Sequence, residues 1–509
     1  MFPFVLLSWL GSAFAQQAIT GNITSLLTVN TSSGAYTGFV NSSLPNVHQW
    51  LGIPFGTPPV DNLRFLSAVK ALYRHDGPHP ATTYKSICPQ NSDTSSGVFW
   101  TLVPEFQNTD PQSEDCLYLN IWAPRTPALK KEKVPVLIWV FGGAFAEGGG
   151  HAPYQVPDRW IEKTQGHVVV TFNYRVNVFG FPSSAGAFGN PGLTDIRLVV
   201  EWVRDNIEGF GGDSTNMLLW GQSAGANAVI SYSYAHPTDP IVQAIAADSG
   251  VAPPSIISNT TGFSTMARSF GCGENVNAAA ELTCMQKVDA KEIQKYVKEN
   301  TGGIFAGPRL WGMVADEVTA FGNLTERLLE GKVAKIPLIT GVNKNEGAAF
   351  AHFELNQTVP PQPEELEIAK RVFVCSVDKE ANDRVAQNMT VYRYLFKGNF
   401  SNITPRYWLG SMHSSELPLL FGTHDLFRGN STPLEFETSR AMQAFWLTLV
   451  SNSTLNPIDK LSGLTWPKYT GPKNGTIMVF GDDEGPGKAV AAKLESVGVM
   501  EGIYPLSQC

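Results

Sequence analysis

Short, unbroken apolar runs punctuate this chain at intervals that suit strands separated by helices. Residues 136–141 (VLIWVF), 167–174 (HVVVTFNY), 217–220 (MLLW), 244–247 (AIAA) and 336–342 (IPLITGV) each predict a strand. Between them, residues 193–207 repeat apolar positions at helical spacing and predict a helix. Runs that are continuously apolar, not alternating, belong to strands covered on both faces. The expectation is therefore an α/β chain with a large, mostly parallel central sheet flanked by helices. In such a sheet, functional groups collect at the carboxyl ends of the strands. No internal repeat, low-complexity tract or charged linker divides the sequence, so residues 16–509 read as one domain with insertions.

The first fifteen residues, MFPFVLLSWLGSAFA, join a short apolar run to Ala13-Phe14-Ala15, with small residues where a signal peptidase inspects them. Cleavage after Ala15 and a secreted, extracellular product are expected. The run is too short to span a bilayer, and no later segment is apolar for the eighteen or so residues that a span needs. Twelve Asn-x-Ser/Thr sequons, at Asn22, Asn30, Asn41, Asn259, Asn323, Asn356, Asn388, Asn399, Asn402, Asn430, Asn452 and Asn474, agree with a glycoprotein on the secretory route. Six cysteines, Cys88, Cys116, Cys272, Cys284, Cys375 and Cys509, form no CxxC pair and read as disulfides. Sequence alone leaves their pairing open, although the short spacing of Cys272 and Cys284 favours a local loop. Apolar residues at 43% supply a large core. A formal charge of −8 with no basic cluster argues against nucleic acid as a partner.

Gly221-Gln222-Ser223-Ala224-Gly225 follows the strand at 217–220 and precedes a small-residue run suited to a helix. A serine on so sharp a strand-to-helix turn needs small residues two before and two after it, and its hydroxyl is presented as a nucleophile. The bare pattern is weak; its setting between strand and helix makes it specific. Attack on an ester creates an oxyanion, which backbone N–H groups stabilise. Phe141-Gly142-Gly143-Ala144-Phe145, directly after the strand at 136–141, is the expected donor loop, with Gly143 and Ala144 joining Ala224.

Triads built on such an elbow run serine, acid, histidine along the chain, so the histidines before Ser223 are set aside. His236 lies close behind the nucleophile, and His352 follows the best acid by only six residues, leaving His413 and His424. Glu346, in the loop after the strand at 336–342, is the acid candidate, with Asp316 as runner-up.

Together these residues resemble the type-B carboxylesterase/lipase family of cholinesterase-like α/β-hydrolases, in a pattern like that of fungal secreted esterases and lipases. The resemblance extends to Gly52 through Pro59 with Leu63-Arg64-Phe65, to Ser113 through Asn120, and to Phe210-Gly211-Gly212-Asp213. It covers most of the mature chain. The family's acid context matches Asn343 to Gly347, and its histidine context matches His413, Glu416, Phe421 and Gly422, which selects His413 over His424. The resemblance also implies a buried supporting serine at Ser249, disulfides Cys88–Cys116 and Cys272–Cys284, which leaves Cys375 with Cys509, and buried ion pairs Arg64–Glu114 and Arg175–Asp195.

Where a cholinesterase carries a glutamate before its nucleophile and a tryptophan ahead of the Glu-Asp-Cys-Leu motif, this chain has Gln222 and Phe106, so choline recognition is not expected. Phe106, Gln222 and Phe145 are the substrate-pocket candidates. The loop from Cys88 to Cys116, with Val98-Phe99-Trp100, is expected to line an acyl pocket, to form a lipase-like flap, or simply to pack. The resemblance implies a serine carboxylic ester hydrolase acting through an acyl-enzyme on a small-molecule or lipid ester, without metal or organic cofactor. The alternatives are a triacylglycerol lipase and a noncatalytic binding or adhesion domain of the same fold.

Overall fold

In the computed structural model, described residues are 27–90, 97–130, 132–187, 189–250, 261–273, 276–300, 311–354, 356, 358–359, 363–483, 489–506 and 509. The expected signal peptide and the sequons at Asn22 and Asn259 fall outside them.

Eleven strands form the central sheet. In chain order they are β1 (Phe39–Val40), β2 (Val47–Pro54), β3 (Tyr118–Pro124), β4 (Val134–Val140), β5 (Val168–Phe172), β6 (Gly212–Gln222), β7 (Ala244–Asp248), β8 (Leu338–Asn343), β9 (Val391–Phe396), β10 (Thr476–Asp482) and β11 (Val490–Ser496). Across the sheet they lie in the order β11-β10-β9-β8-β7-β6-β4-β5-β3-β2-β1. From β5 to β10 every neighbouring pair is parallel, while β11, β3, β2 and β1 pair antiparallel at the two margins.

The expected strands are all present, and burial explains why they were legible. Every residue of β5, β7, β8 and β9 is buried, as a parallel strand covered on both faces requires. The edge strand β11 has no buried residue, and its sequence, VAAKLES, carries no apolar run.

The predicted helix becomes α1 (Pro191–Asn206), with Pro191 at its first position, where no N–H is needed, and Leu193, Ile196, Val199, Val200 and Val203 buried. The helix after the elbow, α2 (Ala224–Ala235), starts at once behind Ser223. Further on, α3 (Pro433–Ser451) opens with a capping box: Thr432 Oγ1 accepts the Glu435 N–H, and a Glu435 carboxylate oxygen accepts the Thr432 N–H.

β4 lies between β5 and β6, so the chain leaves β4 toward one margin and later returns to its other side. The loops that follow β4 and β6 therefore diverge, opening a crevice at their carboxyl ends. The disulfides are Cys88–Cys116, Cys272–Cys284 and Cys375–Cys509. Arg64 grips both carboxylate oxygens of Glu114 at 2.5 and 2.7 Å, and Arg175 grips Asp195 at 2.7 and 2.9 Å, all largely buried. Among the described residues no helix is long and apolar enough to cross a membrane.

Candidate active site

Ser223 stands between the end of β6 and the start of α2 with a positive φ, φ 57° and ψ −122°. The flanking glycines make that turn possible. A Cβ on Gly221 would lie 2.5 Å from the Gly225 carbonyl carbon, and one on Gly225 would lie 2.1 Å from the Val140 carbonyl oxygen. The turn is pinned from the neighbouring strand, because the Ser223 N–H donates to the Asp248 carbonyl at 2.8 Å.

The loop after β4 turns through three consecutive left-handed residues, Gly143 (φ 101°), Ala144 (56°) and Phe145 (58°). It passes so close to the elbow that a Cβ on Gly142 would lie 3.0 Å from Ser223 Cβ and 2.9 Å from the Gln222 side-chain oxygen. The backbone N–H groups of Gly143, Ala144 and Ala224 donate to no acceptor among the described residues. Donors left unspent beside a serine are what a developing oxyanion requires.

His413 and Glu346 meet across two loops. His413 Nδ1 is 2.6 Å from a Glu346 carboxylate oxygen, and both side chains are buried. The other Glu346 oxygen accepts the Asn343 N–H at 2.7 Å. The Asn343 side chain donates in turn to the Met412 carbonyl at 2.7 Å and to Glu416. A bridge between Asn345 and Met412 completes the clamp, so β8 and the histidine loop hold each other in register. The imidazole packs against Phe350 and Phe373, with ring centroids 5.1 and 4.3 Å away.

A cleft opens over these groups. Ser223 and His413 line it together with Gln222, Gly142, Gly143 and Ala144. Phe99, Phe106 and Phe350 make an aromatic wall, and Gln107, Glu147 and Gln155 add polar groups. His413 Nε2 is 3.1 Å from Gln222 Nε2, so the amide donates to the ring nitrogen, and the ring proton sits on Nδ1 facing Glu346. Ser223 Oγ makes no hydrogen bond to a described residue.

The structure thus brings Ser223, His413, Gly143, Ala144, Gln222 and Phe106 to one cleft, with Glu346 behind the imidazole and Ala224 at the start of α2. Phe145 is not among the cleft-lining residues; its ring packs on Phe181 at 4.7 Å. Ser249 is buried behind the site and donates its N–H to the Gly341 carbonyl at 2.9 Å, but its hydroxyl bonds to no described residue. The rejected candidates have other work. Asp316 accepts from Asn190 and Thr319, His424 bonds to the Ser431 hydroxyl at 2.6 Å, and His352 is exposed.

Three neighbours escaped the sequence reading. Asp248, the last residue of β7, is fully buried and accepts the Trp220 indole N–H at 2.5 Å; burial pushes its carboxyl up to about 7. Glu416 entered only as part of a motif; burial, with Asp248 and Glu346 nearby, holds its carboxyl well above the usual range. Gln155 lines the cleft, and no pattern marks it, since it stands in a short 3-10 turn (Pro153–Gln155).

Residues 25–374 match the carboxylesterase family. The chain belongs to that family. A chlorogenic acid esterase of Aspergillus niger is 45% identical over 440 residues, covering 85% of this chain and 84% of that protein. Secreted lipase 5 of Gibberella zeae is 35% identical over 518 residues, with 94% and 95% covered. An acetylcholinesterase of Bungarus fasciatus is 30% identical over 515 residues, with 87% and 81% covered. With that membership and the esterase relative, the protein is a carboxylic ester hydrolase of the α/β-hydrolase fold, which removes the noncatalytic reading.

Proposed function

We propose that this carboxylesterase-family protein is exported and cleaves esters through an acyl-enzyme on Ser223, with His413 as base and Glu346 as the acid that orients it. The observation that carries the reading is the 2.6 Å contact between His413 Nδ1 and Glu346, which leaves Nε2 on the side of the cleft that Ser223 lines. As Ser223 attacks, Nε2 gives up the Gln222 amide and takes the hydroxyl proton, while Oγ bonds to the carbonyl carbon. The oxyanion collects the unspent N–H groups of Gly143, Ala144 and Ala224, each worth about 3 kcal/mol of barrier. The ester C–O bond then breaks, and His413 returns its proton to the departing alcohol. Water repeats the sequence, releasing the acid and restoring Ser223.

The aromatic wall and polar residues of the cleft suit an aryl acid esterified to a hydroxylated alcohol, in keeping with the Aspergillus niger relative. Export rests on the N-terminal apolar run ending at Ala15, the sequons and the disulfides. The test is Ser223→Ala. It is expected to lose p-nitrophenyl ester hydrolysis by at least about 1,000-fold and to lose fluorophosphonate labelling, while melting like the parent; retained turnover would refute the assignment. A lipase reading draws on the Gibberella zeae relative and on Phe99 and Phe106, which the loop between Cys88 and Cys116 brings to the cleft. Turnover of emulsified long-chain triglycerides exceeding that of soluble aryl esters would favour it.

A further inference from the structure

Gln155 is only 7% exposed, yet it lines the cleft. Its orientation is fixed from below. The Trp139 indole N–H donates to Gln155 Oε1 at 3.0 Å, and Trp139 is a fully buried residue of β4, packed against the rings of Trp220 and Phe421 at 4.3 and 5.1 Å. An indole is a donor only, so the amide must turn its oxygen toward Trp139 and its NH2 group away. That Nε2 makes no hydrogen bond to a described residue. Of the other two amides that line the cleft, Gln107 and Gln222, the latter commits its Nε2 to His413. Gln155 is therefore a rigid, nearly buried donor that the hydrolytic machinery does not use.

A pocket that holds such a donor discriminates by what a substrate lacks. A substrate with an oxygen at this place satisfies the amide, and one with hydrocarbon there strips it of water for nothing. We propose that Gln155 is a specificity-determining residue, donating from Nε2 to a hydroxyl or carboxylate oxygen of the substrate and selecting oxygenated aryl esters over plain ones. The proposal deepens the esterase reading and rests on it. The oxygen has two possible sources, the acyl ring or the alcohol, and matched probes separate them.

The experiment compares kcat/KM for methyl cinnamate, methyl caffeate and chlorogenic acid in the full-length enzyme and in Gln155→Leu. Methyl cinnamate bears no oxygen beyond the ester, methyl caffeate adds phenolic hydroxyls to the ring, and chlorogenic acid adds a hydroxylated carboxylic acid as the alcohol part. The ratio of chlorogenic acid to methyl cinnamate is expected to fall roughly 10- to 100-fold in Gln155→Leu. An equal fall with methyl caffeate puts the oxygen on the ring; a fall confined to chlorogenic acid puts it on the alcohol. A change in KM or kcat common to all three probes, with the ratios within about twofold of the parent, overturns the proposal. Gln155→Glu keeps an oxygen for Trp139 and removes the neutral donor, so it serves if the leucine variant does not fold. There, an unchanged ratio for chlorogenic acid, whose carboxylate it would repel, also overturns it. Residual hydrolysis by Ser223→Ala would instead sink the acyl-enzyme reading and leave these ratios interpretable.

Discussion

Asp248 has no exposure and, among the described residues, no cation beside it; burial, with the Glu346 charge nearby, pushes its carboxyl up to about 7 despite the Trp220 indole and the Tyr394 hydroxyl. A carboxyl whose pKa is raised by folding binds its proton more tightly in the native chain than in the unfolded one. Its contribution to stability is complete below about pH 4 and is lost progressively as pH rises to about 7. Buried His167, His236 and His424 work in the opposite sense: burial lowers their pKa, so the native state loses stability as pH falls. The parent's pH profile therefore mixes both signs, and the variant difference isolates the aspartate. Asp248→Asn keeps an oxygen for the Trp220 indole and abolishes the titration. Measured by denaturant unfolding, it is expected to gain on the parent by up to about 4 kcal/mol between pH 4 and pH 7; a difference constant over that interval would show that the carboxyl does not carry its proton in the fold. At this scale the sequence singled out Ser223, Glu346 and His413 by residue type and motif, and the structure brings Ser223 and His413 to one cleft with Glu346 against the imidazole. It was silent on Asp248 and Gln155, whose behaviour comes from burial and from partners contributed by other strands, Trp220 and Trp139.

The elbow shows how an element, more than any residue in it, sets the site. Gly225 lies where α2 passes over β4, and its hydrogen occupies the space where a methyl group would meet the Val140 carbonyl at 2.1 Å. Gly225→Ala must push α2 from the sheet or unwind the turn, which moves Ser223 and the Ala224 N–H together. Expected is a loss of at least about 100-fold in kcat/KM, since a displacement near 1 Å suffices for that, with a lowered melting temperature. Gly166→Ala, where the nearest atom would be 3.6 Å away, is the control and is expected to match the parent. Comparable activity of the two variants would contradict the packing described for the elbow. The same elements explain what the pattern could disclose. β4 through β8 each carry a short apolar run, in β6 only the stretch from Met217 to Trp220 after its polar start, and were read from those runs. β9 escaped because Arg393 interrupts it, and only the fold reveals that this arginine is buried against Asp378 at 2.5 Å. The antiparallel margins escaped because an edge strand such as β11 needs no apolar run at all. Phe145 was expected at the pocket, yet in the left-handed turn of the glycine loop its ring packs on Phe181.

Across the molecule, the disulfides tie together what the sheet does not. Cys375–Cys509 closes 134 residues and fastens the end of the chain, Cys88–Cys116 closes 28 and holds the loop that supplies Phe99 and Phe106, and Cys272–Cys284 closes 12. By loop-closure entropy they contribute about 5, 4 and 3 kcal/mol respectively. Together that is about 12 kcal/mol, comparable with the whole net stability of a folded protein, typically about 5–15 kcal/mol. A chain with this dependence folds well only where cysteines are oxidised, which gives the proposed export a thermodynamic reason beyond its N-terminal sequence. Residues 16–509 made in a reducing cytosol are accordingly expected to give little enzyme that labels with fluorophosphonate, and the same residues sent to an oxidising compartment to give much more. Removing the longest bridge by Cys375→Ser with Cys509→Ser is expected to cost more than removing the shortest by Cys272→Ser with Cys284→Ser, by about 2 kcal/mol in equilibrium unfolding, because the cost grows with the logarithm of loop length. Equal yields of active enzyme from both compartments, with equal stability of the paired variants, would mean that the core alone sustains the fold, and the case for export would then rest on the N-terminal segment and the sequons.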